Sequence, residues 1–343
     1  MAHMIENRNG QDSVFVVGTP AWHRLGKVFE NPPSMEEGIK AANLEWTVEK
    51  KTLTAEGGIA IPDRVAVVRD VDNKVLGVVG SDYSPVQNSE AFGWFQPWLD
   101  AGHATLESAG ALYEGKRIWV MAKINNVVGD VIPGDSVESF ILLSNAHDGT
   151  MSVRAGFTPV RVVCANTLSM AHNGKGGRLL KVHHKGNVKE TLNLVRETMD
   201  LHTQAFNATV AQYAMLATKQ IDDETFRKYV RLVFAATTPA GEGANEDPSE
   251  ESSERRNLEN KTLQLFQDGV GTEIAGVRGT LWGALNAVTE YTTHYRGRNS
   301  DNRLNSLWFG DSFNKNQKAL KVAVHMATTL LQSFSSGPPR TRG

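Results

Sequence analysis

Residues 64–80, Arg64-Val-Ala-Val-Val-Arg-Asp-Val-Asp-Asn-Lys-Val-Leu-Gly-Val-Val-Gly80, set two β-rich runs around the polar turn Asp72-Asn73-Lys74. Valine-rich runs on either side of turn residues close a hairpin, and a hairpin joins antiparallel strands. The same pattern recurs outward in both directions. Trp46 to Ala55 reads as a strand before it, and Ala104–Ala109 with Arg117–Ile124 flank Tyr113-Glu114-Gly115-Lys116. Ser139–Asn145 and Met151–Ala155 then flank His147-Asp148-Gly149-Thr150, where Asp-Gly is a strong turn signal, and Val160-Arg-Val-Val-Cys164 continues as one more strand. Between the hairpins, Asn88 to Ala101 spaces Phe92, Phe95 and Leu99 as a helix does, with Asn88 or Ser89 as its cap and Pro97 as the residue that kinks or splits it. The turns are short and no glycine fingerprint follows a strand, which argues against a doubly wound nucleotide fold. The expected class is α+β: an antiparallel, hairpin-rich sheet with helices on one face, followed by a mainly helical C-terminal half.

The periodicity changes after Asn166-Thr-Leu-Ser-Met-Ala171. Val188, Leu192, Val195 and Met199 fall on one stripe at about 3.6 residues per turn, with Lys185, Lys189 and Arg196 on the adjoining one. Asp223–Phe234, Glu259–Gln267, Arg278–Tyr295 and Lys315–Phe334 read as further helices. The last sets Leu320, Val324, Ala327 and Leu331 opposite Lys318, Lys321 and His325. The domain reading is therefore 1–186 strand-rich α+β, 187–336 helical with an acidic flexible loop at 240–255, and 337–343 a disordered tail.

With 343 residues and a formal charge of −2, the chain has the length for one large core or two smaller ones. No apolar run reaches the roughly 18 residues of a membrane helix, and Met1-Ala-His-Met-Ile-Glu-Asn-Arg8 lacks the apolar stretch of a signal peptide. A cytoplasmic protein with no membrane partner is expected. The one cysteine, Cys164, rules out an internal disulfide and a cysteine-based zinc cluster.

The charge is unevenly spread. Between Asp148 and Glu190 stand Arg154, Arg161, Lys175, Arg178, Lys181, Lys185 and Lys189 without one carboxylate. Such a local positive field suits phosphate; a solvated basic face or a partner interface are the alternatives. A second group, Arg296, Arg298 and Arg303, is interleaved with Tyr295 and Trp308. Arginine contacts phosphate while aromatic faces stack bases, a pairing that suits single-stranded nucleic acid. The alternative is a loop that packs Trp308 and Phe309 into the helical half. Asn173-Gly-Lys-Gly-Gly-Arg178 lacks the spacing of a nucleotide-hydrolysing loop. Cys164, with His147 as base and Asn166 or Asp148 as orienter, is the one enzyme constellation, but its apolar, strand-like setting fits a structural cysteine better. His183 and His184 are adjacent and do not face one ligand, and Asp70 and Asp72 near a hairpin tip are ordinary turn acids. No catalytic residue, cofactor or metal is expected.

Several segments are nevertheless distinctive. Met1-Ala-His3, Pro20-Ala-Trp-His-Arg-Leu-Gly26, Leu143-Ser-Asn-Ala-His-Asp-Gly149 and, above all, Thr158-Pro-Val-Arg-Val-Val-Cys-Ala-Asn-Thr-Leu168 resemble the phage/plasmid-like protein family of unknown function, found on phages, prophages and plasmids. The resemblance runs through the strand-rich half and on to Tyr295–Gly310. It implies a mobile-element setting, hence the cytoplasm of a bacterial host, and brings no catalytic residues with it. The inferred order of hairpins and helices is also loosely similar to the core of phage single-strand annealing recombinases, which implies a homo-oligomer. The resulting expectation is a non-enzymatic protein that binds nucleic acid, with single-stranded DNA binding or annealing in recombination or replication as its task. Two competing expectations are an interaction protein docking a host or phage protein through Asn245-Glu-Asp-Pro-Ser-Glu-Glu251, and a cysteine-dependent enzyme using Cys164.

Overall fold

The computed structural model describes residues 5–18, 25–150, 154–161, 166–167, 188–235, 253–296, 306–307 and 310–335. Its strands are β1 (Asn7–Arg8), β2 (Gln11–Asp12), β3 (Val14–Val17), β4 (Lys27–Phe29), β5 (Val48–Ala55), β6 (Ile59–Arg69), β7 (Val75–Gly80), β8 (Ala104–Leu112), β9 (Arg117–Ile132), β10 (Asp135–Ala146), β11 (Arg154–Arg161) and β12 (Asn166–Thr167). Its α-helices are α1 (Met35–Ala41), α2 (Asn88–Gly93), α3 (Gln96–Asp100), α4 (Val188–Ala217), α5 (Asp223–Phe234), α6 (Ser253–Asp268), α7 (Leu281–Glu290) and α8 (Asp311–Ser335). The described residues form an α+β fold with the helices mostly in the C-terminal half.

The main sheet has the order β12-β11-β10-β9-β8-β3-β4, and β5-β6-β7 form a separate three-stranded sheet. All pairs are antiparallel except β3 with β4. Alternation along β9 assigns its two sides. Ile118, Val120, Ala122 and Ile124 join a core that continues through Phe206 and Tyr213 of α4, Phe226 and Tyr229 of α5, and Trp282 of α7. Trp119 points to the other side, into a small cluster with Ile5, Val14 and Leu112. The helical half is thus anchored on one side of the sheet, and the Trp282 indole donates to Asp135 Oδ2 across it at 2.8 Å.

Turn chemistry explains the hairpins. Asn73 takes φ +54° in the β6–β7 turn, and Tyr113, Glu114 and Gly115 are all left-handed between β8 and β9. The helix expected over 88–101 is split at Trp94 and Phe95, and Pro97 sits in the first turn of α3, where its missing N–H costs nothing. Gln87, not Asn88 or Ser89, occupies the α2 cap, and its N–H donates to Glu90 Oε2 at 2.7 Å. Asn88 is spent on the core instead: its amide donates to the carbonyls of Leu44 and Trp46. Three further boundaries differ from the sequence reading. β9 runs past Ile124 to Ile132 and turns at Gly134 (φ +84°) into β10. Val160 and Arg161 end β11 rather than opening another strand. Helix α6 begins at Ser253, so the last three positions of the acidic segment are helical. The rest of that segment and the tail lie outside the described residues. Among the described residues no helix is long and apolar enough to cross a membrane.

Two buried histidines make stability pH-dependent. His147 packs on the Trp46 ring at 5.2 Å, and its Nε2 meets Asn88 Oδ1 at 3.0 Å. Because the Asn88 amide is committed to two carbonyls, Oδ1 is an acceptor and Nε2 carries the proton. Burial is the main cause that pushes His147 from 6.5 down to about 4, with Arg69 adding to it and Asp148 opposing. Burial alone does the same to His202, which meets Ser139 Oγ at 2.6 Å and stacks on Phe157 at 3.6 Å. Between these values the unfolded chain binds protons that the folded chain refuses, so stability falls as pH drops from 6.5 towards 4. Glu107 works the other way. Burial, with Glu138 adding and Lys123 opposing, raises it from 4.5 to about 7, so the folded state gains stability as pH falls across that window. Two histidines outweigh one glutamate, so the net effect in the overlapping range is a loss of stability as pH falls. Thermal unfolding between pH 7.5 and 4.5 is expected to show this acid-side loss. Glu107→Gln removes the offset and makes the decline steeper; an unchanged slope would contradict the assignment.

Candidate nucleic-acid interface

The strongest convergence of cations among the described residues lies on the helical half. Helix α5 starts on Asp222, whose side chain accepts from the Thr225 amide at 2.8 Å, and it buries Phe226, Tyr229, Val230 and Val233. The period that turns these inward turns Arg227 and Arg231 towards α6. There Glu259, 3% exposed, accepts from Arg231 Nε at 2.8 Å and Nη2 at 3.1 Å. Arg227 and Arg255 approach the same carboxylate at 3.8 and 3.7 Å. Three guanidinium groups thus approach the one buried carboxylate of Glu259.

One turn beyond Arg231, the ring of Phe234 gathers cations from two other elements. Arg296 lies over it at 5.7 Å and Lys315 of α8 at 5.8 Å. Phe234 meets Tyr291 edge-on, with ring centroids 5.9 Å apart, which fixes its orientation. Lys318 donates to the Ala235 carbonyl at 3.0 Å, at the negative end of the α5 dipole. Beside this group, Lys261 of α6 sits 4.2 Å over the ring of Tyr295, a tyrosine that is 45% exposed.

At this end Asp311 pairs with Arg296 at 2.5 Å. Burial lowers the Lys315 pKa; Asp311 opposes that, while the like charges of Lys318 and Arg296 add to it. An ammonium held among like charges gains when a polyanion arrives. Guanidinium and ammonium groups beside aromatic rings are the residue types that contact phosphate and stack bases.

Only part of the sequence-predicted set lies here. Arg296 does; Arg298, Arg303 and Trp308 fall outside the described residues. Lys175, Arg178, Lys181 and Lys185 also fall outside them, as does Cys164. Lys189 is in the first turn of α4. Arg154 and Arg161 stand seven residues apart on β11, paired with Ser144 and Val137.

His147, the candidate base for Cys164, is buried with its Nε2 proton committed to Asn88. Asp148 is turned to Thr150, accepting from its N–H at 2.9 Å. Asp70 and Asp72 have structural partners in Thr47 and Arg69.

Sequence reasoning missed Phe234, Lys261 and Lys315. Lys318 was visible as part of a charged helix face, but nothing in the linear order joins it to Arg231 or Tyr295.

A family model described as "Domain of unknown function (DUF932)" matches residues 75–308. No curated protein and no solved structure matches the chain.

Proposed function

Taking as premise that the chain belongs to the DUF932 family, we propose that it is a non-enzymatic nucleic-acid-binding protein of a phage or related mobile element. Its ligand in this reading is single-stranded DNA, met during recombination or replication in the cytoplasm of a bacterial host. The observation that carries the reading is the gathering of Arg296, Lys315 and Lys261 over the rings of Phe234 and Tyr295. Duplex DNA hides its base faces in the stack, whereas a single strand presents them to aromatic side chains while its phosphates meet the cations. Lys261 comes from α6, Lys315 from α8, Arg296 from just after the π-helical turn 291–295 and Phe234 from α5, so folding of the helical half assembles the surface. Binding in this mode tolerates any base, because every base has a π-face.

Photocrosslinking locates the strand directly. A bromodeoxyuridine-substituted oligonucleotide bound to the full chain is expected to form adducts on peptides containing Phe234 or Tyr295. Adducts confined to the strand-rich half, with none on these peptides, would overturn the reading.

A further inference from the structure

We propose that the outer part of the β5–β6 hairpin, residues 53–61, is a dimerisation arm that stacks face to face on the same arm of a second copy of this chain. The inference is independent of nucleic-acid binding. Beyond Thr52 the ladder holds only Leu53↔Ile61, Thr54↔Ala60 and Ala55↔Ile59. The neighbouring strand β7 reaches no further along β6 than Arg64. A register break between Thr52 and Leu53, opposite Pro62 and Asp63, sets the two-stranded arm apart from the three-stranded sheet.

Cross-strand partners share a side of a hairpin. Leu53, Ala55, Ile59 and Ile61 therefore make one apolar face, with Thr54 and Ala60 on the reverse. That face is open: Ile59 is 68% exposed and Ile61 39%. A lone two-stranded ribbon is marginal in water, and covering its apolar face is what stabilises it.

Two properties select a second copy as the cover. The face carries no charge, so it is complementary to itself, as a two-fold contact requires. Glu56 stands at the tip and Arg64, next to Asp63, at the base, all three exposed. When two such arms stack in opposite directions, each tip lies over the other base, and Glu56 meets Arg64 twice. Gly57 and Gly58, at φ +82° and +79°, complete the tip without side chains that would hold the arms apart.

Sedimentation equilibrium of the full chain over a concentration series tests this. The wild type is expected to dimerise, and Ile59→Asp to remain monomeric where the wild type is dimeric. Glu56→Arg or Arg64→Glu alone is expected to weaken the dimer by about tenfold, since each places like charges together at both ends. The combined Glu56→Arg/Arg64→Glu chain regains the affinity. Unfolding midpoints close to wild type establish that these exposed substitutions leave the fold intact. A wild type that stays monomeric, or an assembly unmoved by Ile59→Asp and by the single reversals, would refute the arm-on-arm contact. So would a double reversal that fails to recover it.

Discussion

The Lys261→Glu/Lys315→Glu chain is expected to bind a labelled single-stranded oligonucleotide about 10–100-fold more weakly than the wild type at low salt. Each lysine stands over an aromatic ring, 4.2 Å from the Tyr295 centroid and 5.8 Å from that of Phe234. Reversal therefore puts an anion where a phosphate would sit beside a stacked base. If each lysine neutralises one phosphate, the slope of log affinity against log salt for a single strand becomes shallower by about 1.4, because fewer counterions are released. The loss is the same for every oligonucleotide sequence, as backbone contacts carry no base information. Neither substitution touches the buried faces of α6 or α8, where Thr262, Leu265 and Phe266, and Ala319, Leu320 and Ala323, hold the helices. Unchanged helicity with lost binding is the expected pair of results. Unchanged binding would remove the cluster from consideration as the site.

Arg69→Met is expected to cost about 3–5 kcal/mol of stability, the largest effect of any single substitution considered. The Arg69 guanidinium is 2% exposed and joins two carboxylates, Glu6 at 2.6 Å and Asp72 at 2.6 Å. It also lies over the Trp46 indole at 5.1 Å. Burial pulls its pKa down, but the hydrogen bonds it donates to Asp72 and Glu6 hold it above its ordinary value. Glu6 comes from the N-terminal segment, Arg69 and Asp72 from the β6–β7 hairpin, and Gly115 from the β8–β9 turn presses close. A Cβ at Gly115 would lie 2.5 Å from Arg69 Nη1. The guanidinium is thus the joint between the three-stranded sheet and the main one.

Removing it leaves Glu6, itself 3% exposed, as a buried charge without its cation. Urea unfolding of Arg69→Met reads the loss as a lower midpoint. Glu6→Gln placed in the same chain returns part of it, because the stranded charge is gone. A midpoint within experimental error of the wild type would contradict the role.

Local chemistry was legible in the sequence and long-range assembly was not. The hairpins around Asn73 and Gly115 were readable because left-handed turn positions and flanking valines are local signals. The break ahead of Pro97 was readable for the same reason. Strand order was not: β3, early in the chain, pairs with β8 across more than ninety positions, as Phe15↔Ala109. Asn126, left-handed at φ +62°, imitates a turn and hides the continuation of β9 to Ile132.

The site shows the same limit. Arg296 was visible beside Tyr295, but its neighbours arrive from α5, α6 and α8, and only packing of the helical half brings them together. A run of cations in sequence and a patch of cations in space are different objects.

The measurement that bears most directly on the proposed function is fluorescence anisotropy of a labelled single strand titrated with the wild-type chain at several salt concentrations. Binding is expected at low ionic strength, with log affinity falling linearly as log salt rises and with a matched duplex bound more weakly. No binding at low ionic strength, or binding indifferent to salt, would contradict it.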